Sequence, residues 1–476
     1  MAFKTSTNLV VDLDDTLIKI DLFKESLVRS FFLNPMAFFK CLFYILSNNI
    51  SFAKVYLSKI VNQNPKYLPY NDEVISIVRN YRSKGYKVLL ATGASKTYAD
   101  SVSNYLGLFD EVIASEQGIN NIGHIKLNRI KKSVKDFIYI GDSKRDIPIW
   151  DDCKKAILVC SKNNLAKVLK DKKVNILKAI NVKKPNLKVI FKALRIHQWV
   201  KNILLFLPVF ADHSFSFDVI IKTFFGFLAF SFLASGIYIY NDIIDLNHDR
   251  KHVSKKNRPL ASAQISIFIS LFISMILLAS SFFLSFKIDM GFFVITILYV
   301  ILNILYSNLL KKQYILDVLT LTSFYAFRLI SGHLINDISF SSWILSFSIF
   351  LFFSLGLLKR YVDLKVSTKN YKKSLGGRGY RAGDEAIIIP IGVSSGLISI
   401  LTLILYNGSD EIGLKYQSPI ILMILVPLIL YWISRIWFLA FRGKVLIDPV
   451  LFTVKDLQSY LVLLFSVITF ITAKFI

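Results

Sequence analysis

Hydrophobic and polar positions follow two different rhythms along this chain. Up to residue 190, short apolar runs alternate with amphipathic ones. Asn8–Val11, Lys87–Ala91, Phe137–Ile140 and Ala156–Cys160 read as buried strands, with helical patterns such as Asp72–Ser83 and Thr97–Leu106 between them. Strands alternating with helices predict a parallel α/β sheet, whose ligands sit at the carboxyl ends of the strands. From residue 200 the rhythm changes to long apolar runs, at 200–211, 219–240, 264–285, 290–309, 316–335, 343–358, 386–406, 418–438 and 457–474. Most approach the ~20 residues needed to cross a bilayer, the first and sixth being short, so about nine transmembrane helices are expected. No internal repeat is evident.

With 476 residues the chain exceeds a single hydrophobic core. The expected division is an α/β domain at 1–165, a basic linker at 166–192 and an all-α polytopic membrane domain at 193–476. The 54% hydrophobic content belongs mostly to the last. A net charge of +26 suits anionic surfaces or phosphorylated ligands. Its placement favours the positive-inside bias of a membrane protein over nucleic-acid binding. Arg250, Lys251, Lys255, Lys256, Arg258, Lys311, Lys312, Lys359, Arg360, Lys365, Arg378, Arg381, Arg442 and Lys444 fall in alternate loops, and the opposite loops hold little more than Lys287 and Lys415. The basic loops and the α/β domain are therefore expected in the cytoplasm. Nine spans would put the C-terminus outside, in a bacterial inner membrane. Cys41, Cys153 and Cys160 form neither a disulfide framework nor a zinc site. The first apolar run meets Asp12 at once, which argues against a signal peptide.

Chemistry-bearing residues cluster at the strand ends. The first strand runs into Asp12-Leu-Asp14-Asp15-Thr16. Two carboxylates at i and i+2 can divide the work, one attacking phosphorus while the other handles the leaving-group proton. The second strand ends in Thr92-Gly93, a hydroxyl and free amides fit for a phosphate, and Lys126 supplies a fixed cation. A later strand ends in Gly141-Asp142-Ser143-Lys144-Arg145-Asp146, with two further carboxylates for a hard cation such as Mg²⁺. In this order the motifs resemble the haloacid dehalogenase (HAD) superfamily over residues 8–160. The resemblance implies Asp12 as nucleophile, Asp14 as general acid/base, Thr92 and Lys126 at the phosphate, and Mg²⁺ on Asp12, Asp14, Asp142 and Asp146. Asp15 stands where Gly is frequent, and Arg145 lies inside the acidic motif. An active phosphatase and a degenerate regulatory domain are both open. Residues 22–70 occupy the place of a HAD cap. Its apolar stretch Phe31–Leu46 is read either as a helical cap packing on itself or as a surface that dips into the membrane towards a lipid phosphate.

The second apolar run ends in Asn241-Asp242-Ile-Ile-Asp245-Leu-Asn-His-Asp249-Arg250, followed by Lys255-Lys256-Asn-Arg258-Pro259. On a helix the three aspartates share one face. Carboxylates gathered at a membrane boundary are costly unless they hold cations, and Mg²⁺ there can grip a diphosphate leaving group. This pattern resembles the UbiA prenyltransferases, all-helical membrane enzymes, over residues 190–476. The segments around Lys201-Asn202, Lys359-Arg360-Tyr-Val-Asp363 and Gly443–Val450 look like the branch containing decaprenyl-phosphate phosphoribosyltransferase. Bacterial HAD–UbiA fusions share the layout. The substrate-binding set is expected to be Lys201, Asn202, Asn241, Arg250, Lys256, Arg258, Tyr306, Lys312, Arg328, Lys359, Arg360 and Asp363. Only Asp363 stands where quinone-type members carry a second aspartate cluster, and the adjacent cations suit a lipid or sugar phosphate.

Three functions are open at this point. The first is phosphoribosyl transfer from phosphoribosyl pyrophosphate to a polyprenyl phosphate, with the HAD domain hydrolysing a phosphomonoester, for which the ribose phosphate of that product is one candidate. The second is prenyl transfer from a prenyl diphosphate to an aromatic or other polar acceptor. The third is non-enzymatic lipid binding or transport with a sensory HAD domain. Mg²⁺ is expected in both domains. The expected partners are a polyprenyl lipid, a phosphorylated sugar or other small substrate, and the bilayer; the oligomeric state is undetermined.

Overall fold

In the computed structural model the apolar runs of the N-terminal part form strands β1 (Asn8–Val11), β2 (Val88–Ser95), β3 (Glu111–Ser115), β4 (Phe137–Gly141), β5 (Lys155–Cys160) and β6 (Ile176–Asn181). All residues are described except 1–7, 161–171, 173, 183–184, 253–254, 370–377, 414 and 446–447. The six strands pair in parallel in the order β3-β2-β1-β4-β5-β6. Parallel strands need covering on both faces. Leu9, Val11, Leu90, Ile138 and Ile140 pack on one side, and Val10, Leu89, Phe137, Tyr139 and Leu158 on the other. β1 lies between β2 and β4, so the chain changes direction there. A crevice opens at the strand ends at such a switch point.

β6 falls within the segment expected as a linker. Ile176–Asn181 lies inside 166–192, yet it pairs with β5 as an edge strand. The expected boundary at 165 falls outside the described residues.

Between β1 and β2 come three cap helices, α1 (Leu22–Leu33), α2 (Pro35–Leu46) and α3 (Ile50–Ile60). Asp21 caps α1 through Lys24 N at 2.9 Å, and Asn34 ends α1 and caps α2 through Ala37 N at 3.1 Å. Pro35 at the first position of α2 has no amide hydrogen to lose. Cys41, Ala53, Leu57 and Val61 form the small core that joins the helices.

The chain divides into two compact units, Met1–Leu194 with Tyr238–Met275, and Arg195–Ile237 with Ile276–Ile476. Among the described residues eight helices are long and apolar enough to cross a membrane: Phe217–Ile244, Ile267–Ile288, Met290–Asn308, Leu316–Ile335, Ser342–Val366, Glu385–Asn407, Pro419–Phe441 and Leu457–Phe475. The run at 200–211 is not one long helix. It forms a 3₁₀ segment, Ile196–Phe206, and a short helix, Leu207–Asp212, with Pro208 at its start. The sixth run is longer than its apolar pattern: the helix continues to Lys369, so Lys359, Arg360 and Asp363 lie within it rather than after it.

Candidate active sites

The first site is built at the ends of β1, β2 and β4. Asp12 follows β1, and its amide donates to Ile140 O at 2.9 Å, which pins it beside β4. Its Oδ1 accepts from Leu13 N at 2.8 Å and pairs with Lys126 Nζ at 3.1 Å. Lys126 also meets Asp146 Oδ1 at 3.2 Å and donates to Tyr139 OH at 2.6 Å. Lys126 is buried. Burial alone would discharge the ammonium, but Asp12 and Asp146 outweigh it and raise its pKa. Thr16 Oγ1 donates to Asp142 Oδ1 at 3.3 Å. Asp15 adopts φ 53°, a left-handed conformation that glycine takes without steric cost.

Asp12, Asp142 and Asp146 each direct a carboxylate oxygen to one place, the three lying within 4.8 Å of one another. Asp146 Oδ2 is buried without a hydrogen-bond partner. Three hard oxygen donors, one of them unsatisfied, fit a hard divalent cation. The acids are correspondingly uncomfortable without one. Burial pushes Asp12 up to about 6 although Lys126 opposes it, and burial with the carboxylates of Asp12, Asp15 and Asp146 pushes Asp142 up to about 8. Asp14 stands apart from this cluster. It accepts from Leu22 N at 3.0 Å, and burial followed by the charge of Asp21 raises it well above the ordinary carboxylate range.

The Thr92-Gly93 turn is braced by groups that carry no sequence motif. Asn121 Nδ2 donates to Thr92 O at 2.9 Å, and Ser115 Oγ donates to Gly93 O at 2.9 Å. Thr92 Oγ1 accepts from Ala94 N at 3.0 Å. Lys54, from cap helix α3, reaches over to donate to Gly93 O at 2.6 Å and to Asn120 Oδ1 at 2.9 Å. Burial lowers its pKa, while the charges of Asp14, Asp21 and Asp12 counteract. It is thus a cap cation that feels the carboxylates of Asp14, Asp21 and Asp12, and nothing in its local sequence marks it.

The aspartate motif after Phe217–Ile244 lies in the same unit. The helix ends at Ile244, Asp245 takes φ −82° and ψ 4°, and a short helix, Leu246–Lys251, follows. The three aspartates therefore span a joint instead of one continuous helical face. Arg258 Nη1 bridges Asp242 Oδ1 at 2.9 Å and Asp249 Oδ2 at 2.6 Å. Arg250, expected at substrate, is instead buried. Its two terminal nitrogens meet Glu25 of α1 at 2.7 and 2.8 Å, and Nε donates to Ala261 O at 3.2 Å. Lys256 is exposed and Asn241 half-buried.

The second unit holds the other expected residues in three groups. Lys201 and Lys359 share Asp448 Oδ2, at 3.2 and 2.7 Å. Asp448 is buried, which alone would raise its pKa, but the two ammonium groups hold it below the usual carboxylate range. Arg360 is fully buried against Asp317, with Nε to Oδ2 at 2.5 Å, and pairs with Asp363 at 2.8 Å; Tyr306 OH donates to Asp317 at 2.8 Å. Arg360 is therefore paired with two carboxylates. Arg328 donates to Asn202 Oδ1 at 2.7 Å and Tyr299 OH at 3.1 Å. Lys312 is exposed.

An α/β hydrolase site joined to a multi-pass helical part defines a membrane enzyme of two domains. The chain belongs to the UbiA prenyltransferase family, whose model matches residues 203–452, and a haloacid dehalogenase-like hydrolase model matches residues 9–150. It is a UbiA-type prenyltransferase with a HAD phosphatase domain. Protein y4nM of Sinorhizobium fredii is 32% identical over 97% of this chain and 90% of its own length. Decaprenyl-phosphate phosphoribosyltransferase of Mycolicibacterium smegmatis is 29% identical over 39% of this chain and 59% of its own. A UbiA homolog from Archaeoglobus fulgidus bound to GPP and Mg²⁺ superposes with a TM-score of 0.46 and 17% identity, over 59% of this chain and 99% of its own.

Proposed function

We propose that the membrane domain transfers phosphoribose from phosphoribosyl pyrophosphate to a polyprenyl phosphate, and that the HAD domain then hydrolyses the ribose phosphate of the product. The observation that carries this reading is the pair Lys201 and Lys359 on the single carboxylate of Asp448. Lysine ammonium groups gathered at one place are point charges suited to a phosphate group. No second aspartate cluster accompanies Asp363 in the sequence, and a relative bearing the phosphoribosyltransferase name supports the same reading.

In the transfer step a lipid phosphate oxygen attacks the anomeric carbon, the bond to pyrophosphate breaks, and pyrophosphate leaves with its electron pair. Asp242, Asp245 and Asp249 would hold Mg²⁺, which neutralises charge on the departing pyrophosphate. Arg258 already gathers two of these carboxylates and keeps them at one spot.

In the hydrolytic step Asp12 attacks phosphorus through the oxygen not engaged by Leu13 N and Lys126. Asp14, raised in pKa by burial, arrives protonated and gives its proton to the leaving hydroxyl. As the base it then takes a proton from the water that releases phosphate. Thr92, the Gly93 amide and Lys54 seat the phosphate oxygens. Asp12, Asp142 and Asp146 would hold Mg²⁺, which supplies charge neutralisation for phosphoryl transfer.

We further place the basic loops and the α/β domain on the cytoplasmic side. Glu25 pairs with Arg250, so the cap and the segment after Phe217–Ile244 are on one side of the bilayer. The chain enters that helix at its opposite end, and we take residues 195–216 to make a further crossing. The 3₁₀ segment and short helix span about 31 Å end to end, near the ~30 Å hydrocarbon thickness. This gives nine crossings from eight long helices and puts the C-terminus outside.

The test is to incubate the purified protein with Mg²⁺, phosphoribosyl pyrophosphate and a polyprenyl phosphate, and to weigh the lipid product. A pentose-bearing lipid phosphate is expected. Product from a prenyl diphosphate and an aromatic acceptor, with none from phosphoribosyl pyrophosphate, would favour ordinary prenyl transfer.

A further inference from the structure

Helix α2 is only half used by the cap. Ala37 and Cys41 are buried against α1 and α3, but Met36, Phe39, Phe43 and Leu46 are 84%, 61%, 66% and 78% exposed. These four recur at i, i+3, i+7 and i+10, one face of the helix. Leaving four such side chains in water is unfavourable unless something apolar receives them.

Charge and continuity identify what receives them. Between Glu25 and Asp72 the chain has no carboxylate, while Arg29, Lys40, Lys54, Lys59 and Lys66 are all cationic. Of these, Lys40, Lys59 and Lys66 are exposed, and such a surface is complementary to anionic headgroups. The end of α1 also touches a membrane-crossing helix within the same unit: Phe32 stacks edge-on against Tyr240, near the end of Phe217–Ile244, with ring centres 5.1 Å apart. The α1–α2 turn at Asn34 comes two residues later. α2 therefore starts beside the point where a span leaves the bilayer.

We propose that α2 is a membrane-surface anchor, its Met36–Phe39–Phe43–Leu46 face lying in the interfacial layer of an anionic bilayer. An apolar helical face with flanking cations is the usual composition of such an anchor. The anchor presents the phosphatase site, through Lys54 on α3, to phosphate groups carried on lipid. This last consequence rests on the phosphatase reading above; the anchoring does not.

The test uses the full-length protein, with Cys153→Ser and Cys160→Ser, in phosphatidylcholine–phosphatidylglycerol vesicles. Spin labels are attached at Phe39→Cys, Met36→Cys and, as a water-exposed control, Lys84→Cys. Collision with oxygen and with a water-soluble nickel chelate is read for each. The anchor predicts that the labels at 36 and 39 shift strongly towards oxygen relative to 84. Chelate collision equal to the control would overturn it. Low collision with both reagents, or broadening between labels of two copies, would overturn it too, because a protein surface would then cover α2. Hydrolysis of p-nitrophenyl phosphate by the same samples tests the phosphatase reading separately. Oxygen-exposed labels without hydrolysis would sink that reading and leave the anchor standing.

Discussion

Glu25 and Arg250 form a buried two-point ion pair, with oxygen–nitrogen distances of 2.7 and 2.8 Å, between the cap and the residue next to Asp249. Gln63 Nε2 donates to the same carboxylate at 3.1 Å. Removing one partner of such a pair strands a buried charge at a cost of about 3–5 kcal/mol, whereas replacing both by apolar residues is often close to neutral. Glu25→Ala should therefore lower the temperature at which p-nitrophenyl phosphate hydrolysis is lost on heating. The double replacement Glu25→Leu with Arg250→Met should recover most of that loss. Equal inactivation temperatures for Glu25→Ala and wild type would show that the pair contributes nothing.

Lys54 supplies the cap's cation at the Thr92-Gly93 turn. A hydrogen bond to a charged group is worth about 1.5–3 kcal/mol, so Lys54→Met should reduce kcat/KM for phosphomonoesters roughly tenfold to a hundredfold. The Thr92 brace by Asn121 should survive, so thermal stability should hardly change. Unaltered kinetics in Lys54→Met would remove Lys54 from the phosphate site.

The first site's chemistry was readable from sequence because it depends on residue type at strand ends, and β1, β2 and β4 are short apolar runs bounded by polar ones. Lys54, Asn121 and Glu25 were not readable. Each acts through a partner distant in sequence, and its own neighbours form no pattern. The aspartate motif was legible as chemistry, but the joint at Asp245 was not, since spacing alone implies an unbroken helix. The ion pair of Arg360 was hidden for a related reason: its partner Asp317 lies on another helix. β6 was hidden in a Lys- and Asn-rich stretch, because an edge strand needs only one apolar face.

The acids of the first site titrate where metal binding can be followed. Asp12 at about 6 and Asp142 at about 8 lie above the ordinary aspartate value, mainly because burial disfavours their charged forms. Without metal the folded state binds more protons than the unfolded one between pH 4 and 8, so its stability falls as pH rises through that window. A divalent cation must displace those protons and should bind more tightly at pH 8 than at pH 5.5. Thermal inactivation with and without Mg²⁺ should show the larger protection at pH 8, and Asp142→Asn should abolish the difference. Equal protection at both pH values would contradict the three-carboxylate site.

Sidedness is checked by reporter fusions. One after residue 476 should lie outside the cytoplasm and one within residues 370–384 inside. Both reporters on the same side would mean that one of the last three helices, Glu385–Asn407, Pro419–Phe441 or Leu457–Phe475, does not cross.

The central claim is that two reactions run in order on one lipid. Three proteins should be compared with phosphoribosyl pyrophosphate, a polyprenyl phosphate and Mg²⁺: wild type, Asp12→Asn and Asp242→Asn. Mass spectrometry of the lipid should show a pentosyl lipid phosphate from wild type and the same lipid heavier by one phosphate from Asp12→Asn. Asp242→Asn should return unreacted polyprenyl phosphate while still hydrolysing p-nitrophenyl phosphate. Identical lipid masses from wild type and Asp12→Asn, when only wild type hydrolyses p-nitrophenyl phosphate, would contradict the sequential account.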